Sequence, residues 1–241
     1  MAASFFISDL HLTPERPKST ESFLAFLRNT AGQAERLYIL GDLFEYWVGD
    51  EALAEPMPAQ IAEALRELGS DGTQVFFMHG NRDFLVGAQF IKAAGLQLLP
   101  DPSVVTLYGA PTLLMHGDTL CTDDVDYLNF RKMVRDPDWQ TKFLAKSVAE
   151  RKQFAESMRS ESEKSKKIKS MSIMDVSTAA VESELRQHGY PRLIHGHTHR
   201  PATHEHLVDG HVCERRVLAD WYEQGSYLAC NSDGCESIRI D

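Results

Sequence analysis

The sequence has no apolar run approaching the roughly 20 residues that a membrane-spanning helix needs, and no excess of basic residues. Lys and Arg total 25 against 35 Asp and Glu, a formal charge of −10. That balance argues against general nucleic-acid binding, which demands a basic surface. Cysteine is scarce: Cys121, Cys213, Cys230 and Cys235 form no CxxC pair and match no disulfide framework. They are expected to be reduced thiols of a cytoplasmic protein. No export signal is expected, because the one early apolar run, Phe5-Phe6-Ile7, follows no basic region and stops at Ser8-Asp9. Neither an internal repeat nor a low-complexity tract stands out. What is present, 241 residues with 43% hydrophobic and 25% charged, fits one large α/β domain over 1–241 with room for an insertion.

Up to about residue 120 the pattern alternates strand and helix. Strands are expected near 4–8, 37–41, 74–79, 103–108 and 112–116, and helices near 20–30, 57–68 and 84–94. That alternation marks α/β layering. Gly32, Gly69 and Gly95 stand where these helices should stop, at left-handed C-cap positions. From about 123 to 188 the texture becomes helical only, an expected insertion beside the site that could act as a cap. It carries Tyr127, Phe130, Met133, Trp139, Phe143, Phe154 and Met158, with a third helix expected near 171–188 and ending at Gly189. After Pro201 the chain reads as strands, near 203–208, 212–218, 226–230 and 236–240.

Five segments each end an apolar run with residues able to ligate metals. They are Asp9-Leu10-His11, Gly41-Asp42, Gly80-Asn81-Arg82-Asp83, His116-Gly117-Asp118 and Gly196-His197-Thr198-His199. Asp9 and His11 are two apart on an expected strand, which aims both at one face; His197 and His199 repeat the spacing. Asp42 can bridge two cations through its two oxygens, Asn81 offers an amide oxygen and His116 an imidazole. Hard oxygens mixed with imidazole nitrogens suit divalent ions of the Mn, Fe or Zn kind. Two such ions about 3.5–4 Å apart are the usual equipment for hydrolysing phosphate esters. His79 and His195 are expected to support the site or the core, and His204, His206 and His211 to be ordinary strand or turn residues. Asp83 and Asp118 fit either ligand orientation or plain capping.

In this order, DxH, GD, GNxD, the histidine of HGD and GHxH resemble the calcineurin-like metallophosphoesterase superfamily. The resemblance implies a four-layered α/β/β/α sandwich with a dinuclear site. By that resemblance Asp9, His11 and His199 hold one metal, Asn81, His116 and His197 the other, and Asp42 bridges them. Many members carry histidine after the GN asparagine as a general acid. Here the residue is Arg82, which cannot donate a proton near neutral pH. A leaving group that departs without protonation then suits the site, such as a phosphate monoester released from a pyrophosphate, whose second pKa is around 6. Arg82 can also clamp phosphate oxygens; a structural arginine paired with an acid is the other reading.

The segments SDLHL, ILGDLFEYWVGD, HGNRDFL, LMHGDTLCTDD, SIMDV and LIHGHTHRP resemble, more narrowly, the branch of that superfamily serving lipid A biosynthesis. This resemblance implies hydrolysis of UDP-2,3-diacylglucosamine to UMP and 2,3-diacylglucosamine 1-phosphate with two Mn2+ ions per chain. Water would attack the α-phosphorus, with Asp42 and Arg82 in the catalytic roles. The implied substrate contacts are Asn81, Arg82, Asp124, Ser162, Lys166, Lys169 and His197, and the implied location is peripheral, on the cytoplasmic face of the inner membrane. Read from residues alone, the lysines fit a solvated helix face equally well, and the aromatic stripe fits either core or an enclosure for acyl chains. A general nucleotide phosphodiesterase or phosphatase is the alternative enzyme. A binding scaffold that had lost catalysis should lack ligands, and none is missing.

Overall fold

The computed structural model describes residues 3–168 and 175–240, with side chains left aside over 161–168. Strands β1 (Ser4–Ile7), β2 (Arg36–Leu40), β3 (Gln74–Met78) and β4 (Gln97–Leu99) pair in parallel. Their crossovers carry helices α1 (Pro17–Asn29), α2 (Pro56–Ser70) and α3 (Ala88–Ala93). Strands β5 (Ser103–Leu107), β6 (Ala110–Met115), β7 (Arg192–His195), β8 (Ala202–Val208) and β9 (His211–Val217) form a second sheet in the order β5-β6-β7-β9-β8. Strands β10 (Ser226–Asn231) and β11 (Gly234–Arg239) return to the first sheet, giving β11-β10-β1-β2-β3-β4.

Three apolar interfaces separate four layers. Phe23, Leu27, Ile61 and Leu65 from α1 and α2 pack on Phe5, Ile7, Leu37, Ile39 and Phe77 of the first sheet. Phe6, Tyr38, Leu40 and Met78 on its other face meet Leu107, Leu114 and Ile194 of the second sheet. Leu113, Met115 and Leu193 on the far face of that sheet meet Val181 and Leu185, which lie on α7 (Thr178–Gln187). The α/β/β/α order explains the near-continuous apolar runs of β1 to β3, which are covered on both faces.

Helices α4 (Val125–Val134), α5 (Pro137–Leu144), α6 (Val148–Ile168) and α7 occupy the chain between β6 and β7, two strands that pair in parallel. Asp124 and Asp136 cap α4 and α5, accepting from the amides of Tyr127 and Trp139 at 3.1 and 2.9 Å. Part of the aromatic stripe is core. Phe143 is buried in the α1–α2 interface cluster, with Trp139 and Phe154 packed against it. Arg151 of α6, 2% exposed, donates to the Val48 carbonyl and to Glu51, fastening α6 to the loop after β2.

Several expectations need correction. Gly32 and Gly69 are not left-handed caps: Gly32 lies in a short 3-10 turn and Gly69 inside α2, and the left-handed stop after α2 is Gly72. Gly95 does adopt positive φ. Strand β4 was not foreseen. Helix α7 begins at Thr178, and Lys169, Ile173 and Met174 lie outside the described residues. The cysteines are not all thiols. Cys230 and Cys235 are register partners on β10 and β11, with Cα atoms 4.0 Å apart, and they form a disulfide. An antiparallel hairpin brings such partners together whatever their spacing in sequence. Cys121 and Cys213 remain buried thiols.

Candidate metal centre

All five ligand segments leave the carboxyl ends of strands β1, β2, β3, β6 and β7, the usual site location in parallel α/β sheets. Strand alternation does not aim Asp9 and His11, contrary to expectation. Strand β1 ends at Ile7, and both residues lie beyond it at positive φ, +56° and +50°. Asp42, His197 and His199 share this conformation, at +54°, +67° and +55°. Five non-glycine residues in the left-handed region, all in one cluster, store backbone strain of the kind found at functional sites. The neighbouring glycines serve close approach. A Cβ on Gly80 would collide with the Asp42 carboxylate, and one on Gly196 with that of Asp9.

The seven expected ligands converge. His199 Nε2 lies 3.3 Å from both Asp9 Oδ1 and His11 Nε2. Asp42 sits between two groups: its Oδ2 is 3.8 Å from His11 Nε2, and its Oδ1 is 3.8 Å from His116 Nε2. Asn81 Oδ1 lies 3.0 Å from His116 Nε2 and 2.9 Å from His197 Nδ1. Among the described residues, two clusters meet the spacing of a cation site, Asp9-His11-His199 and Asp9-Asp42-His116.

The donor chemistry fits a divalent ion. Asp9 Oδ1 is buried without a hydrogen-bond partner, an orphan that costs free energy unless a cation takes it. His116 Nδ1 donates to the Leu40 carbonyl at 2.8 Å, so a neutral ring turns the lone pair of Nε2 toward Asn81 Oδ1. Two acceptors then face each other, and only a cation or a proton between them reconciles the pair. Without metal a proton does so. Burial disfavours the charged imidazole, but Asp42, Asp118 and Asp9 outweigh it and push His116 up to about 9. Burial holds Asp42 up at about 7 despite His116. Burial also drops His197 to about 3 and lowers His11 well below the usual range, keeping both rings neutral.

Supporting groups that sequence reasoning missed surround the cluster. Glu45, 4% exposed, lies 3.9 Å from His11 Nδ1 and 2.8 Å from Arg16. Asp220 stands 3.5 Å from His199 Nδ1, the arrangement in which a carboxylate orients a ligating imidazole. Tyr222 stacks on His11 with ring centroids 5.1 Å apart. None of these lies in a ligand motif, and only non-local folding brings them in. Asp83 accepts from the amides of Leu43 and Gly80 at 2.7 and 2.8 Å, so it clamps two ligand loops. Asp118 accepts from Tyr127 and, at 2.7 Å, from Arg131. His79 bonds the Val86 carbonyl, and buried His195 meets Gly196 and Arg215, as supporting or core groups do.

Of the expected substrate contacts, Asn81, Arg82 and His197 line the cluster. Arg82 Nη1 lies 3.9 Å from Glu45. Asp124 caps α4, whose Tyr127 ring stands 6.0 Å from that of His197. Ser162 and Lys166 fall on α6 where side chains are not described, and Lys169 lies outside the described residues. Among the described residues, no helix is long and apolar enough to cross a membrane.

The calcineurin-like phosphoesterase family matches residues 5–201. A UDP-2,3-diacylglucosamine hydrolase of Aromatoleum aromaticum is 52% identical over 232 residues, covering 96% of this chain and 94% of that protein. One from Xanthomonas campestris pv. campestris is 50% identical over 238 residues, covering 96% of each. Among solved structures, an archaeal phosphodiesterase covers 99% of both chains at 13% identity and a TM-score of 0.48.

Proposed function

The chain belongs to the calcineurin-like phosphoesterase family, and from that premise we propose that it hydrolyses the pyrophosphate bond of UDP-2,3-diacylglucosamine. The products are UMP and 2,3-diacylglucosamine 1-phosphate, in lipid A biosynthesis. The observation carrying the reading is the convergence of seven ligand side chains beside an arginine that replaces the family's usual histidine, in a chain whose full-length relatives bear the name of this hydrolase. Asp9, His11 and His199 would hold one Mn2+, Asn81, His116 and His197 the other, with Asp42 shared. When bound, such ions lower the pKa of water toward neutrality and polarise phosphoryl oxygens.

The chain's own groups do the rest. The Leu40 carbonyl fixes the His116 tautomer, so Nε2 faces the site. Asp42 accepts from the Arg82 amide at 2.8 Å, which holds the loop bearing Asn81 and Arg82 over the cluster. Arg82 binds the diphosphate and stabilises charge developing on it. Water adds to the α-phosphorus, the bond to the bridging oxygen breaks, and the lipid phosphate leaves without needing a proton. Asp124, Ser162, Lys166 and Lys169 would contact the sugar and nucleotide. Exposed Val125, Met133 and Leu144 provide apolar surface for the acyl chains and for a peripheral seat on the membrane.

Hydrolysis in 18O-labelled water tests this directly. The label is expected in UMP. Label in the lipid phosphate would reverse the point of attack, and turnover of bis-p-nitrophenyl phosphate without turnover of the lipid nucleotide would favour a general phosphodiesterase.

A further inference from the structure

We propose that Arg215, on strand β9, is a positioning residue for the metal centre: through His195 it pins the turn that aims His197 at its ion. The inference rests on the dinuclear reading of the site given above. Strand β9 lies between β7 and β8 in the second sheet. Arg215 is the register partner of Leu193 on β7 and of His204 on β8. Its long side chain reaches a diagonal neighbour on each side. Nη1 lies 3.1 Å from His195 Nε2 at the end of β7, and Nε donates to His206 Nε2 on β8, also at 3.1 Å. Both Arg215 and His195 are buried.

A guanidinium has donors and no acceptor, so the contact fixes the state of the ring it meets. His195 Nε2 must accept, which leaves the ring neutral with its proton on Nδ1. That proton faces the Gly196 carbonyl, 2.9 Å away. The same carbonyl accepts from the Thr198 amide at 2.8 Å, so two bonds engage both lone pairs of one oxygen. Between the two residues stands His197 at φ +67°, the centre of a tight three-residue turn of the strained kind. Such a turn persists only where its surroundings over-determine it. Asp9 Oδ2 supplies one restraint, accepting from the His197 amide at 2.9 Å. His195 supplies another.

The packing leaves this chain of contacts little freedom. A Cβ on Gly117 would collide with the His195 ring, so the ligand loop after β6 closes on that ring as well. The His195 carbonyl accepts from the Leu218 amide at 2.8 Å, which ties the end of β7 to the end of β9. Burial works against the charge of Arg215, and Asp175, itself ion-paired with Arg200, works for it. Arg215 stands outside the ligand set and acts through His195.

Mn2+ titration calorimetry on full-length, chelator-treated protein tests this. Arg215→Met keeps an apolar stem and removes every donor. It is expected to weaken binding of one Mn2+ ion about 10–100-fold and of the other less than about threefold. In a His199→Ala background, which keeps Asn81, His116 and His197, the remaining ion is expected to show the larger loss. His206→Ala removes only the other acceptor of Arg215, and both ions are expected to stay within about threefold of wild type. Equal weakening of both ions, no weakening, no loss in the His199→Ala background, or a matching loss in His206→Ala would overturn the proposal and make Arg215 a prop of the sheet. Wild-type protein that binds no Mn2+ would instead sink the dinuclear reading, and this inference with it. Should Arg215→Met fail to fold, 15N-histidine spectra of the Zn2+-loaded wild type decide. His195 is expected to carry its proton on Nδ1, and a protonated Nε2 would overturn the proposal.

Discussion

The Nε2 atoms of His11 and His199 stand 3.3 Å apart across 188 residues of chain. Each ring has a carboxylate near its other nitrogen, Glu45 for His11 and Asp220 for His199. Two imidazoles held this close, with Asp9 Oδ1 buried beside them, would form one side of a coordination shell. His199→Ala is therefore expected to lower bound metal from about two ions per chain to about one, read by plasma emission on dialysed protein. Two ions retained in full would contradict the ligand set.

Without metal, stability should fall as pH rises from about 7 to 9. His116 is raised above its unfolded value, to about 9, and His199 is raised too, chiefly by Asp9 working against burial. Raised histidines contribute stability that is fully present below the unfolded pKa near 6.5 and is lost as pH rises through the folded value. Asp42, held up at about 7, acts in the same sense because its folded form keeps a proton the unfolded chain has released. His11, His195 and His197 are lowered and oppose this only below about 6.5. Thermal midpoints of chelator-treated protein across that pH range check the sign, and His116→Gln should flatten the slope.

Asp83→Ala should destabilise strongly without removing a ligand. The amides of Leu43 and Gly80 lose their acceptor, at about 1–3 kcal/mol for each donor left buried and unpaired. Urea denaturation measures the loss, and a change under about 0.5 kcal/mol would show that water replaces the carboxylate.

Phe143 and Met133 separate the two readings of the aromatic segment. Phe143 is 5% exposed and packed on Trp139 and Phe154, so Phe143→Ala should cost about 3–5 kcal/mol. Met133 is 46% exposed, so Met133→Ser should change stability by no more than about 0.5 kcal/mol. If acyl chains rest there, it should raise KM for the diacylated substrate and leave that for a deacylated analogue unaltered.

Part of the candidate site was legible because Asp42, Asn81 and His197 each follow a strand and then a glycine. Asp9 and His11 are placed by a different cause from the expected strand spacing. They converge through left-handed backbone past the strand end, and strand alternation plays no part. Glu45, Asp220 and Tyr222 were illegible because the residues they meet lie 21 or more positions away in sequence. The aromatic residues of α5 and α6 read first as core and only second as lipid surface, since helical periodicity shows that a face is apolar and says nothing about what covers it. Strand β4, three residues with exposed Gln97 and Leu98, is too short for its period to register.

If seven side chains hold cations that activate water against a pyrophosphate, UMP release depends on those cations and on their ligands. Protein stripped by chelator and assayed with UDP-2,3-diacylglucosamine should release no UMP, recover with Mn2+, and stay inactive with Mn2+ when Asp42 is replaced by Ala. Full turnover by the stripped protein, or by Asp42→Ala, would contradict the account.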